Sequence, residues 1–178
     1  MVEKSKKGLL VVAVVLGIVA MVMIFCPSIS LEMFWYLDEW EYSMNASLSG
    51  TETVFGYEIE MFDWEYGNQQ VVGLFKFSFF MLLTYLLPLA GIITLFFAKK
   101  NNYFYYATIF CFIVAAILFF LSPSLVVWGN SSLKNELKER VELGAGAIIG
   151  GLSCIIATLC VYAYTKEKVT VTGVEQEK

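Results

Sequence analysis

The sequence predicts an all-α membrane protein: a four-transmembrane-helix bundle with a small extracellular β-element in its first outer loop. Three observations carry this. The 178-residue chain is 58% hydrophobic, with a mean hydropathy of +0.69, which excludes an ordinary soluble domain. Its apolar residues gather in four runs, at about 9–26, 71–98, 103–121 and 143–164. Each is near or above the ~20 residues a helix needs to cross ~30 Å of hydrocarbon. Between the first two runs, segment 27–70 holds nine acidic residues and no lysine or arginine. Open sheet edges leave amides unpaired in lipid, so the runs are expected to be helices.

Orientation follows from the bases. Lys4, Lys6 and Lys7 precede the first run, Lys99 and Lys100 fill the turn after the second, and Lys166, Lys168 and Lys178 follow the fourth. Lys134, Lys138 and Arg140 fall on the opposite side. Lysine and arginine collect on the cytoplasmic side, so both termini of this multi-pass plasma-membrane protein are expected to be cytoplasmic and 27–70 extracellular. Ile24-Phe25-Cys26-Pro27 makes a poor signal-peptide cleavage site, so the first run is read as a retained span.

Taken in order, the first outer loop alternates apolar and acidic residues over 51–62, with Tyr57, Ile59 and Met61 on one face and Glu58 and Glu60 on the other. That period of two predicts a strand, within a two- or three-stranded element. Ser47-Leu48-Ser49-Gly50 is read as the turn before it. Lys76 is the single charge inside an apolar run and is placed as an interface lysine whose stem reaches the outer surface. Pro88 and Gly91 mark a bend in span two. In the second outer loop, Leu133, Leu137 and Val141 recur every four residues, so helix four is expected to start near Leu133. The polar tail 165–178 lacks periodicity and is expected to be a disordered cytoplasmic tail.

The four cysteines (Cys26, Cys111, Cys154, Cys160) all lie in or at the end of spans, which excludes a disulfide-stapled ectodomain. The absence of histidine removes imidazole-ligated haem, His-based zinc and Ser-His or Cys-His dyads. No catalytic, cofactor or metal residue is assigned. The EF-hand spacing is likewise missing. Two Asn-x-Ser sequons, at Asn45 and Asn130, fall in the outer loops.

Two features stand out as candidate sites. The loop repeats an acidic–aromatic theme, Asp38-Glu39-Trp40-Glu41-Tyr42 and Asp63-Trp64-Glu65-Tyr66. Carboxylates beside aromatic faces suit a cationic ligand or partner, which nominates Asp38, Glu39, Glu41, Asp63 and Glu65. In span four, Gly146, Gly150 and Cys154 place small residues on one helix face, as in close helix packing, either within the chain or between copies.

Leu48-Ser49-Gly50, Val54-Phe55-Gly56, 87–93 (LPLAGII), 115–120 (AAILFF) and 143–149 (LGAGAII) resemble the small four-span membrane proteins of Firmicutes and Mollicutes. The resemblance implies a bacterial plasma-membrane setting and no particular activity. The layout is also similar to that of claudins in topology, but the loop lacks the cysteine pair and Gly-Leu-Trp triplet of their signature, so no residue role carries across.

The expected function is therefore non-enzymatic: interaction or assembly through the acidic aromatic loop. Membrane lipids, a protein partner or a homo-oligomer are the expected partners, with no nucleic acid. An oligomeric small transporter or channel subunit is the alternative, and a membrane enzyme the third. The want of ionisable groups other than Cys and Tyr in spans one, three and four counts against transport.

Overall fold

The computed structural model describes residues 2–37, 40–63, 68–98, 101–131, 134–135 and 138–176. Within these, the side chains of 2–7, 33–45, 59–72, 139 and 167–176 fall outside the description. The chain is mostly helical with small sheets, and four helices are long and apolar enough to cross a membrane. In order, the elements are α1 (Val2–Val22), a 3-10 turn (Met23–Phe25), β1 (Pro27–Leu37), β2 (Trp40–Ser49), α2 (Gly50–Phe55), β3 (Tyr57–Asp63) and β4 (Asn68–Lys76). Then follow α3 (Phe79–Phe97), α4 (Tyr103–Phe120), α5 (Ser122–Leu125), β5 (Val127–Trp128), a 3-10 turn (Lys138–Arg140), β6 (Val141–Leu143) and α6 (Ala145–Gln176). They divide into a helical unit (1–22, 83–119, 149–178) and a sheet unit (23–82, 120–148).

Along the long helices the buried positions follow a common rhythm. Met81, Thr84, Pro88, Gly91 and Leu95 on α3 are buried, as are Tyr105, Thr108, Phe112, Ala115 and Phe119 on α4. On α6 the series is Ala147, Gly150, Cys154, Ala157 and Val161. The spacing alternates three and four residues, the seam that lets side chains of one helix interlock with another at a shallow crossing angle. Large apolar residues point the other way: Val11 is 62% exposed, Phe96 66%, Phe110 66% and Leu159 60%. Large apolar residues thus cover the outer faces of the helices as well as filling part of the buried seams, unlike a soluble bundle. Apolar surface of this extent is expected only against lipid. These four apolar helices mark a multi-pass membrane protein.

Two phenylalanines of α4 fill the gaps that glycines leave. A Cβ on Gly17 or Gly91 would come within 3.2 Å of the Phe112 ring, and one on Gly150 within 2.7 Å of Phe119. Phe119 also meets Tyr85 edge-on, with ring centroids 5.2 Å apart and planes at 87°. A hydrogen bond joins the hydroxyls of Thr94 and Thr108 at 2.9 Å, while each hydroxyl also reaches a carbonyl of its own helix, at Gly91 and Phe104.

The sheet unit is richer in strands than the sequence predicts. Among the described residues, six strands form two sheets, ordered β2-β1-β6 and β3-β4-β5. β1 and β2 pair from Pro27↔Ser49 to Leu37↔Trp40, and β3 and β4 from Tyr57↔Phe75 to Asp63↔Asn68. The segment between the third and fourth long helices supplies the third strand of each sheet: Ile29↔Leu143 on one, Phe75↔Trp128 on the other. The strands adjoining the long helices are thereby joined in pairs, β1 with β6 and β4 with β5. Ile29, Leu31 and Leu48 of one sheet and Leu74 and Phe75 of the other make a single core with Val126. Fully burying each such side chain is worth roughly 1.5–3 kcal/mol.

Four expectations need correction. Span two begins at Phe79, not at 71, because 71–76 is the inner part of β4. An apolar strand leading directly into an apolar helix reads as one run. The helix start is set by Ser78, whose hydroxyl accepts the Met81 N–H at 3.3 Å and donates to the Leu125 carbonyl at 2.7 Å. The alternating strand does not run from 51: 50–55 is α2, and the strand starts at Tyr57. A capping box drives this, with the Ser49 N–H donating to a Glu52 carboxylate oxygen at 2.7 Å and the Glu52 N–H to the Ser49 hydroxyl at 3.4 Å. Gly56 ends α2 at φ +108°, a conformation open to glycine, and its N–H donates to the Glu52 carbonyl at 3.0 Å.

Helix four starts at Ala145 rather than near Leu133, because 141–143 pairs with β1 instead of continuing a helix. Leu133 and Leu137 lie outside the described residues. At the other end, 165–176, expected to be disordered, continues α6 as helix.

Candidate functional site

The acidic–aromatic motifs are placed by strand register. β1 and β2 close on the pair Leu37↔Trp40, and only Asp38 and Glu39 connect them. β3 and β4 close on Asp63↔Asn68, with 64–67 between. Asp38, Glu39 and Glu65 lie outside the described residues. Glu41 stands on β2 opposite Tyr36, and Asp63 on β3 opposite Asn68; their side chains fall outside the description. The described members, Glu41 and Asp63, therefore lie beside or within the closing pairs of their hairpins. At ~3.3 Å per residue, the six-residue path from core residue Leu31 to Leu37 spans roughly 20 Å.

Lys76 departs from its expected setting. It is an exposed residue ending β4, register partner of Val127, three residues before the first residue of α3. Lys76 thus lies on the strand ahead of the second apolar helix and not within that helix.

Gly146, Gly150 and Cys154 are all buried, and they serve different neighbours. Gly150 is the notch for Phe119. Gly146 lies against the end of the first 3-10 turn: a Cβ there would stand 2.8 Å from the Pro27 carbonyl oxygen and 2.9 Å from Cys26 Cβ. Cys154 is fully buried in the α6 seam. The glycine spacing is thus satisfied inside one chain.

Sequence reasoning missed two concavities. In the sheet unit a groove of about 870 Å³ is lined by Ser124, Trp128, Ser131, Lys134, Lys138 and Val141. In the helical unit a cleft of about 450 Å³ runs between Val11, Val14 and Val15 of α1, Leu95 and Phe96 of α3, and Tyr164 of α6. Tyr105 completes its wall, with ring centroids 5.5 Å from Tyr164 and a side-chain hydrogen bond to it. Residues on four separate helices line this cleft, and no short sequence motif announces such a site. No group of three or more Cys, Asp or Glu positioned to hold a metal occurs among the described residues.

No protein-family model matches this chain, and no curated protein matches it either.

Proposed function

We propose that this chain is a plasma-membrane protein of non-enzymatic interaction or assembly type: a four-helix membrane bundle with both termini cytoplasmic, engaging a cationic partner outside the cell. The observation that carries this reading is the register of the two hairpins. The strands close on Leu37↔Trp40 and Asp63↔Asn68, so Glu41 and Asp63 of the two acidic–aromatic motifs lie beside or within those closing pairs. Carboxylates clustered in the sequence beside aromatic residues favour a cationic surface that relieves their mutual repulsion while the rings supply contact area. The charge asymmetry of the chain supports the orientation. The buried seams described offer Cys and Tyr as their ionisable groups, a poor basis for an ion relay.

Two experiments test it. Replacing Glu39, Glu41, Asp63 and Glu65 together by glutamine is expected to leave thermal unfolding unchanged while weakening capture of a polylysine probe by at least about tenfold, near 1.4 kcal/mol. Unchanged capture rejects the site. If the reconstituted protein instead drives solute or ion flux across proteoliposomes, the transport alternative replaces this reading. For orientation, reporters fused after Lys100 and Lys178 should score as cytoplasmic and those after Gly50 and Gly129 as external. A cytoplasmic signal at Gly50 inverts the protein and removes the acidic ectodomain with it.

A further inference from the structure

We propose that the short helix α2 anchors the sheet unit in the bilayer surface: Phe55, together with Phe25 and Phe77, is immersed among lipid acyl chains at the membrane border. This rests on the membrane reading of the four apolar helices. It is indifferent to which side the sheet unit faces and to any cationic partner.

The way α2 is held carries the argument. Its first residue, Gly50, donates its N–H to the Cys26 carbonyl at 3.2 Å, and its Val54 carbonyl accepts the Ser78 N–H at 2.9 Å. Cys26 directly follows the first apolar stretch, Gly8–Phe25, and Ser78 directly precedes the second, Phe79–Phe97. One six-residue helix is thus tied at both ends to residues that border candidate membrane spans. Length then fixes the depth of that border. With 19 residues, α3 is about 28 Å long, against ~30 Å of hydrocarbon. It crosses only with its first turn inside, so Phe79 and Phe80 stand at acyl depth. Phe77 precedes Phe79 by two residues, and the Phe55 ring centroid lies 6.5 Å from that of Phe77.

Phe25, Phe55, Phe77, Phe79 and Phe80 are each more than half exposed. In water such a group of rings is an unfavourable apolar surface; against acyl chains it continues the outer faces of the long helices. The remainder of α2 fits a membrane border. Thr53 and Val54 are buried, and the Thr53 hydroxyl donates to the Gly50 carbonyl at 2.9 Å. Its one charged residue, Glu52, is half-buried. The Oε2 atom accepts from both the N–H and the hydroxyl of Ser49, each at 2.7 Å, so the carboxylate brings hydrogen bonds with it and not a bare charge. A protein partner reaching Phe55 would have to displace lipid from Phe79 and Phe80, which selects acyl chains as the occupant.

The test uses the full chain in phosphatidylcholine nanodiscs with isotopically labelled phenylalanine rings, read by NMR. Phe55→Leu and Phe77→Leu assign the two signals. Lipid carrying a nitroxide high on its acyl chain is expected to broaden Phe55 and Phe77 as strongly as Phe79, and a water-soluble gadolinium chelate to spare all three. Rings reached by the chelate and not the lipid label place α2 in water, and rings reached by neither place it against protein; either result overturns the proposal. Phe96, exposed on α3, is the reference. A Phe96 ring untouched by the lipid label removes the membrane reading itself, whereas broadening at Phe96 without broadening at Phe55 removes only the anchor. A second measurement is amide exchange at Gly50 and Ser78. Phe55→Asp is expected to speed it by about tenfold or more, and Phe55→Leu to leave it little changed. A phenylalanine exposed to water would tolerate both substitutions, so equal exchange in the two variants also overturns the anchor.

Discussion

Gly144→Ala is expected to unpair β6 from β1 and to destabilise the sheet unit by about 1–3 kcal/mol, toward the upper end of that range. An added Cβ would stand 2.5 Å from the Pro27 carbonyl oxygen, 2.6 Å from the Ser28 carbonyl carbon and 2.8 Å from the Ile29 nitrogen. All three are backbone atoms, so no rotamer change relieves the clash. The movement that would relieve it stretches the Gly144 N–H bond to the Ser28 carbonyl, now 2.8 Å. It also disturbs Ile29↔Leu143, whose Ile29 side chain is fully buried in the core. The measurement is amide exchange across 29–31 and 141–143, with thermal unfolding alongside. Gly73→Ala is the control, because nothing lies within 4 Å of its added Cβ. If the two variants exchange alike, the β1–β6 pairing is not as tight as described.

Much of this architecture was legible in the sequence, and what was not has identifiable causes. Each of the four apolar runs contains a helix, which satisfies its own consecutive amides without a neighbouring strand. Their borders were less legible where the adjoining element was also apolar. Val71, Val72, Leu74 and Phe75 are good strand formers, yet beside Phe79 they extend the apparent span. The capping box was present in the text as Ser49-x-x-Glu52, but the alternation at Tyr57, Ile59 and Met61 drew the strand prediction back across it. The β1–β6 and β4–β5 pairings had no local signal at all. Each joins segments separated by one or more membrane helices, and the leucine spacing at 133–141 pointed to a helix instead. The acidic–aromatic motifs were visible as composition; only register shows that Glu41 and Asp63 lie beside or within closing pairs of the two hairpins.

The small-residue pattern of the last helix had two readings, and stability measurements separate them. A Cβ on Gly150 would stand 2.7 Å from Cε1 and Cζ of Phe119. That ring is fully buried and held edge-on by Tyr85, so it has little room to yield. Gly150→Ala is therefore expected to destabilise the helical unit by about 1–3 kcal/mol through overpacking. Phe119→Leu alone should cost less than the ~3–5 kcal/mol seen for Phe→Ala in water-soluble cores. It is a smaller truncation, and a separated helix in lipid keeps its side chains in apolar surroundings, leaving mainly the loss of packing contacts. Combined, the two changes should compensate, because the smaller side chain vacates the space the new methyl needs. A coupling of about 0.5–3 kcal/mol in a double-mutant cycle, read by SDS titration in mixed micelles, is the expected result. Were Gly150 instead part of a contact between copies, Gly150→Ala would shift the oligomeric state and its effect would add to that of Phe119→Leu. Additivity would therefore move the glycine stripe from the interior of one chain to its surface.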